Sequence, residues 1–223
     1  MQTDSGAVAA MKQETTDAEI VRELGGTPDF PRVNGVMFDG QLVWAATGST
    51  LIGLDPKSGR TERTLDAACD AGTAFDGKYI YQLAEARIDK IEAATGKLVV
   101  SLPAPGAGSD SGMAWAEGSL WIGRYNERKI QQVDPETGEV LRTIESDRFV
   151  TGVSWVDGEL WHATWEEEQS EIRNIDPNSG RVKQALRMPH GTIVSGLDAD
   201  EENFYCGGGT SGKVRVVARP RKG

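Results

Sequence analysis

The sequence predicts an all-β fold, a five-bladed β-propeller of four-stranded antiparallel blades, and three observations predict it. A glycine-led unit recurs about every forty residues, a period that marks repeat architectures built of blades. Each unit carries the same strand-like segments in the same order. The 27 glycines of the 223-residue chain sit mostly beside Asp, Glu, Ser or Thr, the composition of a chain with many tight turns and short strands.

The five copies are NGVMFDGQLVW from Asn34, AGTAFDGKYIY from Ala71, SGMAWAEGSLW from Ser111, TGVSWVDGELW from Thr151 and SGLDADEENFY from Ser195. Their leading glycines are Gly35, Gly72, Gly112, Gly152 and Gly196. The first strand of a unit ends in an acidic-glycine turn such as Asp39-Gly40, Asp76-Gly77 or Asp157-Gly158, which suits a tight hairpin. The second strand has an aromatic at one fixed place: Trp44, Tyr81, Trp121, Trp161 or Tyr205. A third strand follows, as in IQQVDP and IRNIDP, with apolar residues at Ile130 and Val133 and at Ile172 and Ile175. It closes in DPKSG, AATG, DPETG or DPNSG, where proline presets the turn and glycine supplies positive φ. RTERTL, KLVVSL, EVLRTI and RVKQAL are the fourth strands.

After the fifth third-strand, KVRVVARP, no fourth strand follows. AEIVREL, residues 18 to 24, has the fourth-strand pattern and precedes the first unit, so an N-terminal strand is expected to complete the last blade and close the ring. Residues 1–17 are then expected to be a flexible N-terminal arm and residues 18–223 a single propeller domain.

The stretch TGVSWVDGELWHATW carries three tryptophans. Trp155 aligns with Phe38, Phe75 and Trp115, and Trp161 with the repeat aromatics, so both are expected in the core. Trp165 lies four residues beyond the repeat aromatic, and the repeat does not account for it.

With 38% hydrophobic and 26% charged residues the chain is expected to bury one substantial core. Its formal charge of −10 opposes a phosphate backbone and an anionic membrane surface, so neither nucleic acid nor membrane is an expected partner. The basic RVVARPRKG end reads as a solvated tail. No stretch approaches the roughly eighteen apolar residues that a membrane span needs. MQTDSGAVAAMKQETTDAEIV has no basic start followed by an apolar run, so a cytoplasmic monomer is the expectation. Cys69 and Cys206 form no CxxC pair and are expected as free thiols. No Walker loop, dinucleotide fingerprint or metal-ligand spacing is present, so no cofactor and no metal are predicted.

In a propeller, the loops into the first strands and after the second strands emerge around the mouth of the central channel, where residues outside the repeat are the functional candidates. The first set of loops offers Asn34, Asp70, Asp110, Ser111, Thr151, His190 and Ser195 as ligand-binding residues, and the second offers Arg124, Tyr125 and Trp165. Hydroxyls directly before the repeat glycine also suit the satisfaction of backbone groups at a strand start. Glu85 and His162, from the second set, are the candidate catalytic groups. His162, Glu166 and His190 are a candidate acid, base or metal trio at the rim. The mixture of charge and aromatic surface points to a small organic or peptide ligand, with a non-catalytic interaction propeller as the alternative.

The GxxWxDGxLW and DPxTGxVLRTI units resemble the propeller-type glutaminyl cyclases, or glutamine cyclotransferases, of plants and bacteria, from about residue 18 to residue 218. That resemblance implies conversion of an N-terminal glutamine to pyroglutamate with loss of ammonia, without a metal, in a pocket at the channel mouth. It also implies Gln, Glu and Trp directly before the first-strand glycines of successive blades; here those positions hold Asn34, Ala71 and Ser111. Glu85, on the same blade as Ala71, is the acid nearest in sequence to replace the missing one. In chemistry alone, the trio of His162, Glu166 and His190 resembles the histidine pair and glutamate of streptogramin B lyase, a larger propeller.

Overall fold

The structure, a computed structural model, describes residues 14–27 and 30–221. Among these residues there is no helix, and the strands form five sheets. Two strands, β1 (Glu14–Asp17) and β2 (Ile20–Gly25), precede the first blade. That blade consists of β3 (Gly35–Phe38), β4 (Val43–Ala46), β5 (Gly48–Leu54) and β6 (Thr61–Cys69). The second has β7 (Thr73–Phe75), β8 (Tyr79–Ala84), β9 (Arg87–Glu92) and β10 (Leu98–Pro103). The third has β11 (Asp110–Ala116), β12 (Ser119–Arg124), β13 (Lys129–Val133) and β14 (Val140–Glu145). In the fourth are β15 (Phe149–Val156), β16 (Glu159–Glu166), β17 (Gln169–Ile175) and β18 (Val182–Arg187). The fifth contains β19 (Leu197–Ala199), β20 (Asn203–Gly207) and β21 (Lys213–Ala218).

The fifth blade takes its fourth strand from the other end of the chain. β2 pairs antiparallel with β21, with Leu24 opposite Val214 and Glu23 opposite Arg215. Lys213 reaches Glu23 at 2.5 Å and Arg215 reaches the same carboxylate at 3.3 Å. The ring is closed as the repeat pattern requires. The strand before it departs from expectation: β1 adds to the outer edge of the fourth blade, parallel to β18, with Glu14 opposite Gln184 and Asp17 opposite Arg187. The last four residues of the expected arm are therefore a strand, while residues 1–13 lie outside the described part of the chain.

Each blade is apolar on both faces of its inner strands, because each face meets a neighbouring blade. Five clusters result, one per junction. Between the first and second blades, Met37, Trp44 and Leu51 meet Ile80 and Ile91; between the third and fourth, Trp121 and Ile130 meet Val153 and Leu160. The repeat aromatic packs on the first-strand aromatic of the next blade at several junctions. Tyr81 stacks on Trp115 and Trp121 on Trp155, with ring centroids 5.3 Å apart in both pairs. Trp155 and Trp161 are thus packing residues, and Trp161 also meets Phe204 at 4.8 Å. Burial of one such ring contributes on the order of 2–3 kcal/mol, so these contacts dominate the junctions.

The repeat glycines meet at the axis. A Cβ on Gly112 would lie 2.4 Å from the Gly152 Cα, one on Gly196 2.7 Å from the Gly35 Cα, and one on Gly35 2.3 Å from the Ala71 carbonyl oxygen. Gly72 is pressed in the same way against Gly112 and Met113, and Gly152 against Gly196 and Leu197. Five backbones therefore touch in a closed ring, which only side chains of zero size permit. This ring is the floor of the channel mouth.

Candidate functional site at the channel mouth

Directly above the glycine ring stand the five residues that precede the glycines: Asn34, Ala71, Ser111, Thr151 and Ser195. Three of them donate to backbone carbonyls, and the two serine bonds stitch one blade to the next. Asn34 donates to the Cys69 carbonyl at 3.3 Å, Ser111 donates to the Val150 carbonyl at 2.7 Å, and Ser195 donates to the Val33 carbonyl. This is the backbone-satisfying role that hydroxyls at a strand start suit. Thr151 breaks the pattern: its residue is 9% exposed and its hydroxyl has no hydrogen-bond partner among the described residues. Register shifts between Asp110 and Met113 and between Val150 and Gly152 place Ser111 and Thr151 at bulges, the device by which a strand re-aims a side chain beside a site.

Over this floor opens a cleft of about 550 Å³. Asn34, Asp70, Asp110, Ser111, Tyr125, Thr151, Trp165 and Ser195, all candidates from the sequence, line it together. Tyr125 stacks on Phe149 with centroids 4.9 Å apart, and Phe149 is the cross-strand partner of Trp165. The Arg128 guanidinium covers the Phe149 ring at 4.2 Å and pairs with Glu166 at 3.1 Å. The aromatic wall is thereby fixed from behind.

Asp110 is the most deeply held acid of the cleft, with a side chain 2% exposed. One carboxylate oxygen accepts from the Gly106 N–H at 3.0 Å; the other, Oδ1, is buried without a hydrogen-bond partner. The Arg124 Nε lies 3.6 Å from that oxygen and is itself unsatisfied. Burial raises the Asp110 pKa above the usual carboxylate range, against the opposing pull of Arg124 and the Gly106 N–H. Asp70, by contrast, is exposed and accepts from the Glu85 N–H at 2.9 Å.

Four sequence candidates lie outside the cleft lining. Glu85 has a side chain 76% exposed and pairs with Arg87 at 3.0 Å; it serves the cleft only through the N–H it gives to Asp70. Arg124 supports Asp110 from behind, spending its other donors on Glu127, Gln131 at 2.9 Å and the Pro105 carbonyl at 3.1 Å. His190 is exposed beside Glu168. His162 sits within β16, 1% exposed, opposite Val153 and Arg173, and lines a separate groove with Glu145 and Asp147. Burial, aided by Arg173, pulls its pKa down to about 3, so it is a neutral core histidine. The trio of His162, Glu166 and His190 is not assembled: each has different neighbours, and the described residues contain no cluster of His, Cys, Asp or Glu fit to hold a metal.

Ala71 of the floor and Arg32, Ile193, Val194, Gly209 and Thr210 complete the lining, and none of them was among the predicted ligand contacts. Arg32 and Ile193 lie in loops that lead into first strands, so the same positional rule reaches them. Gly209 and Thr210 belong to the GGGTSG loop after β20, whose glycines read as flexibility rather than as a wall.

No family model matches the chain, and no curated protein matches it. Among solved structures, the glutaminyl cyclase of Myxococcus xanthus is similar over 92% of this chain and 97% of its own, with a TM-score of 0.76 and 15% identity. The hydrazine synthase of Kuenenia stuttgartiensis is similar over 80% of this chain and 56% of its own, with a TM-score of 0.50 and 16% identity. At such identities the likeness is one of fold: this chain is a five-bladed β-propeller with the architecture of a glutaminyl cyclase propeller.

Proposed function

We propose that the channel mouth is a binding pocket for a small organic or peptide ligand. One observation carries the reading. Asp110 and Thr151, each with a buried polar atom that lacks a hydrogen-bond partner among the described residues, line one cleft walled by Tyr125 and Trp165. An unpartnered buried polar atom costs about 1–3 kcal/mol, a cost that a ligand's donor or acceptor removes on binding. The cleft therefore has the makeup of a ligand site: an apolar wall and a few convergent polar groups.

A second reading, catalysis of the cyclisation or elimination kind, rests on Asp110. A buried carboxyl with a raised pKa is suited to proton transfer, and Ala71 leaves no acid at the floor position where the cyclases carry one. Asp110, rather than Glu85 or His162, would then move the proton. The unpaired buried thiols of Cys69 and Cys206 fit a reducing compartment, and the closed ring fits a monomer.

Tryptophan fluorescence of the wild type and Trp165→Ala, titrated with N-terminal glutamine peptides and small cyclic depsipeptides, tests the pocket. Saturable quenching that disappears in the variant is the expected result, and no response from either protein would overturn the reading. Ammonia release in the same wells, lost in Asp110→Asn, is the signature of the catalytic form.

A further inference from the structure

Charge around the mouth is divided between two sides. Asp70 and Asp110 enter from the second and third blades, whereas Arg32 enters where the first blade meets the fifth, beside the bridge between Val33 and Gly209. In a ring of five blades the third lies across from that junction. Arg32 is exposed and makes no ion pair or hydrogen bond among the described residues. Asp110 Oδ1 has no hydrogen-bond partner, and Asp70 accepts only the Glu85 N–H among the described residues. The cation nearest Asp110, Arg124, is shared with Glu127, so the acidic side keeps a net negative charge. Tyr125 and Trp165 stand on the third and fourth blades, flanking the space between the poles.

We propose that the pocket recognises a small zwitterion, its ammonium held by Asp70 and Asp110, its carboxylate by Arg32, and its flat or apolar group by Trp165 and Tyr125. This rests on the reading of the mouth as a ligand pocket and specifies its ligand class. A guanidinium presents a planar fork that matches a carboxylate, and a primary ammonium offers three donors to carboxylate oxygens. A ligand with one charge leaves the other pole unpaired, and a neutral ligand leaves both. An α-amino acid with an aromatic side chain is the simplest molecule that meets all three requirements.

The test uses L-phenylalanine, its carboxamide, which lacks the carboxylate, and its N-acetyl derivative, which lacks the ammonium. Calorimetric titrations of the wild type are expected to show phenylalanine binding about tenfold or more tighter than either derivative, as the loss of one charge-assisted contact implies. In Arg32→Ala the preference over the carboxamide disappears and the preference over the N-acetyl derivative persists. Asp70→Asn shrinks the preference over the N-acetyl derivative and keeps the preference over the carboxamide, and because Asp70 is exposed this variant leaves the buried Asp110–Arg124 pair intact. Equal wild-type affinity for phenylalanine and its carboxamide would overturn the zwitterion assignment. So would failure of all three to bind, with the pocket itself judged separately by the Trp165 titration with peptides.

Discussion

Five aromatics occupy one place in five blades, yet their polar atoms are treated in two ways. The Asp39 carboxylate accepts from the Trp44 Nε1 at 2.7 Å while its other oxygen takes the Gln41 and Leu42 N–H groups. Asp76 and Asp200 do the same for Tyr81 and Tyr205. In the third and fourth blades the turn acid stands one residue later, at Glu117 and Asp157, both with positive φ, and Trp121 and Trp161 keep a buried Nε1–H without a partner. Asp39→Ala should therefore cost about 1–3 kcal/mol in urea unfolding, the range for an exposed turn that loses its cap together with a buried donor that loses its acceptor. Thr151→Val makes the opposite case. It removes a hydroxyl that bonds to nothing among the described residues, so stability should hold or rise by up to about 1 kcal/mol while affinity for the mouth ligand falls. Equal losses of both would mean that the hydroxyl is structural. The acidic turns are legible from spacing, but the shift by one residue is not a signal in an alignment that follows the glycine, because what matters is the carboxylate's reach to the aromatic.

At the scale of elements, strand length decided which candidates reached the mouth. Eight of the residues named by the rule that loops before first strands and after second strands face the channel line one cleft. The same rule misplaced His162 because β16 runs on to Glu166, which turns an expected loop residue into the middle of a strand buried on both faces. Arg32 stands in a loop of the same kind, before the first unit as Asp70 stands before the second, and was not among the predicted residues. The floor itself depends on the glycine ring. Gly112→Ala would put a methyl group 2.4 Å from the Gly152 Cα and 2.5 Å from the Val153 nitrogen, and rigid backbone cannot yield as a side chain does. A loss of about 3 kcal/mol or more in unfolding free energy is expected, at the upper end for overpacking. Ligand titration of the surviving folded fraction should also weaken, since Ser111 and Thr151 stand on the two glycines involved. An unchanged melting temperature would show that the ring is looser than its contacts imply.

For the whole molecule, a buried histidine and a half-buried aspartate set opposite pH dependences. His162 has its pKa lowered from 6.5 to about 3 by burial, so it contributes stability above pH 6.5 that is lost as pH falls toward 3. Asp198, which accepts from the Phe38 and Ala199 N–H groups and the Ser154 hydroxyl, is raised by burial from 3.8 to about 6. Its contribution is complete below pH 3.8 and is lost as pH rises through 6. Between these limits the two slopes, each at most about 1.4 kcal/mol per pH unit, oppose each other. Wild-type stability should thus change little from pH 6 to pH 4. His162→Leu should become more stable over that interval as pH falls, and Asp198→Asn less stable, in urea unfolding series at each pH. Parallel profiles for all three proteins would refute the assignment. Below pH 4 the turn carboxylates Asp55, Asp134 and Asp176, held below their usual range by backbone N–H groups and nearby hydroxyls, add their own loss.

The closing strand carries a consequence for biosynthesis. β2 leaves the ribosome long before its partner: the Glu23 carboxylate and the Lys213 amine that meet at the seam are 190 residues apart. At roughly 5–20 residues per second that is a delay of about 10–40 s. During it, the β2 backbone groups that pair with β21 have no native partner, and four blades can assemble only as an open arc. A nascent chain stalled before Lys213 is accordingly the state most open to capture by a second chain's β21, and translation past that point is what commits the molecule to closing on itself.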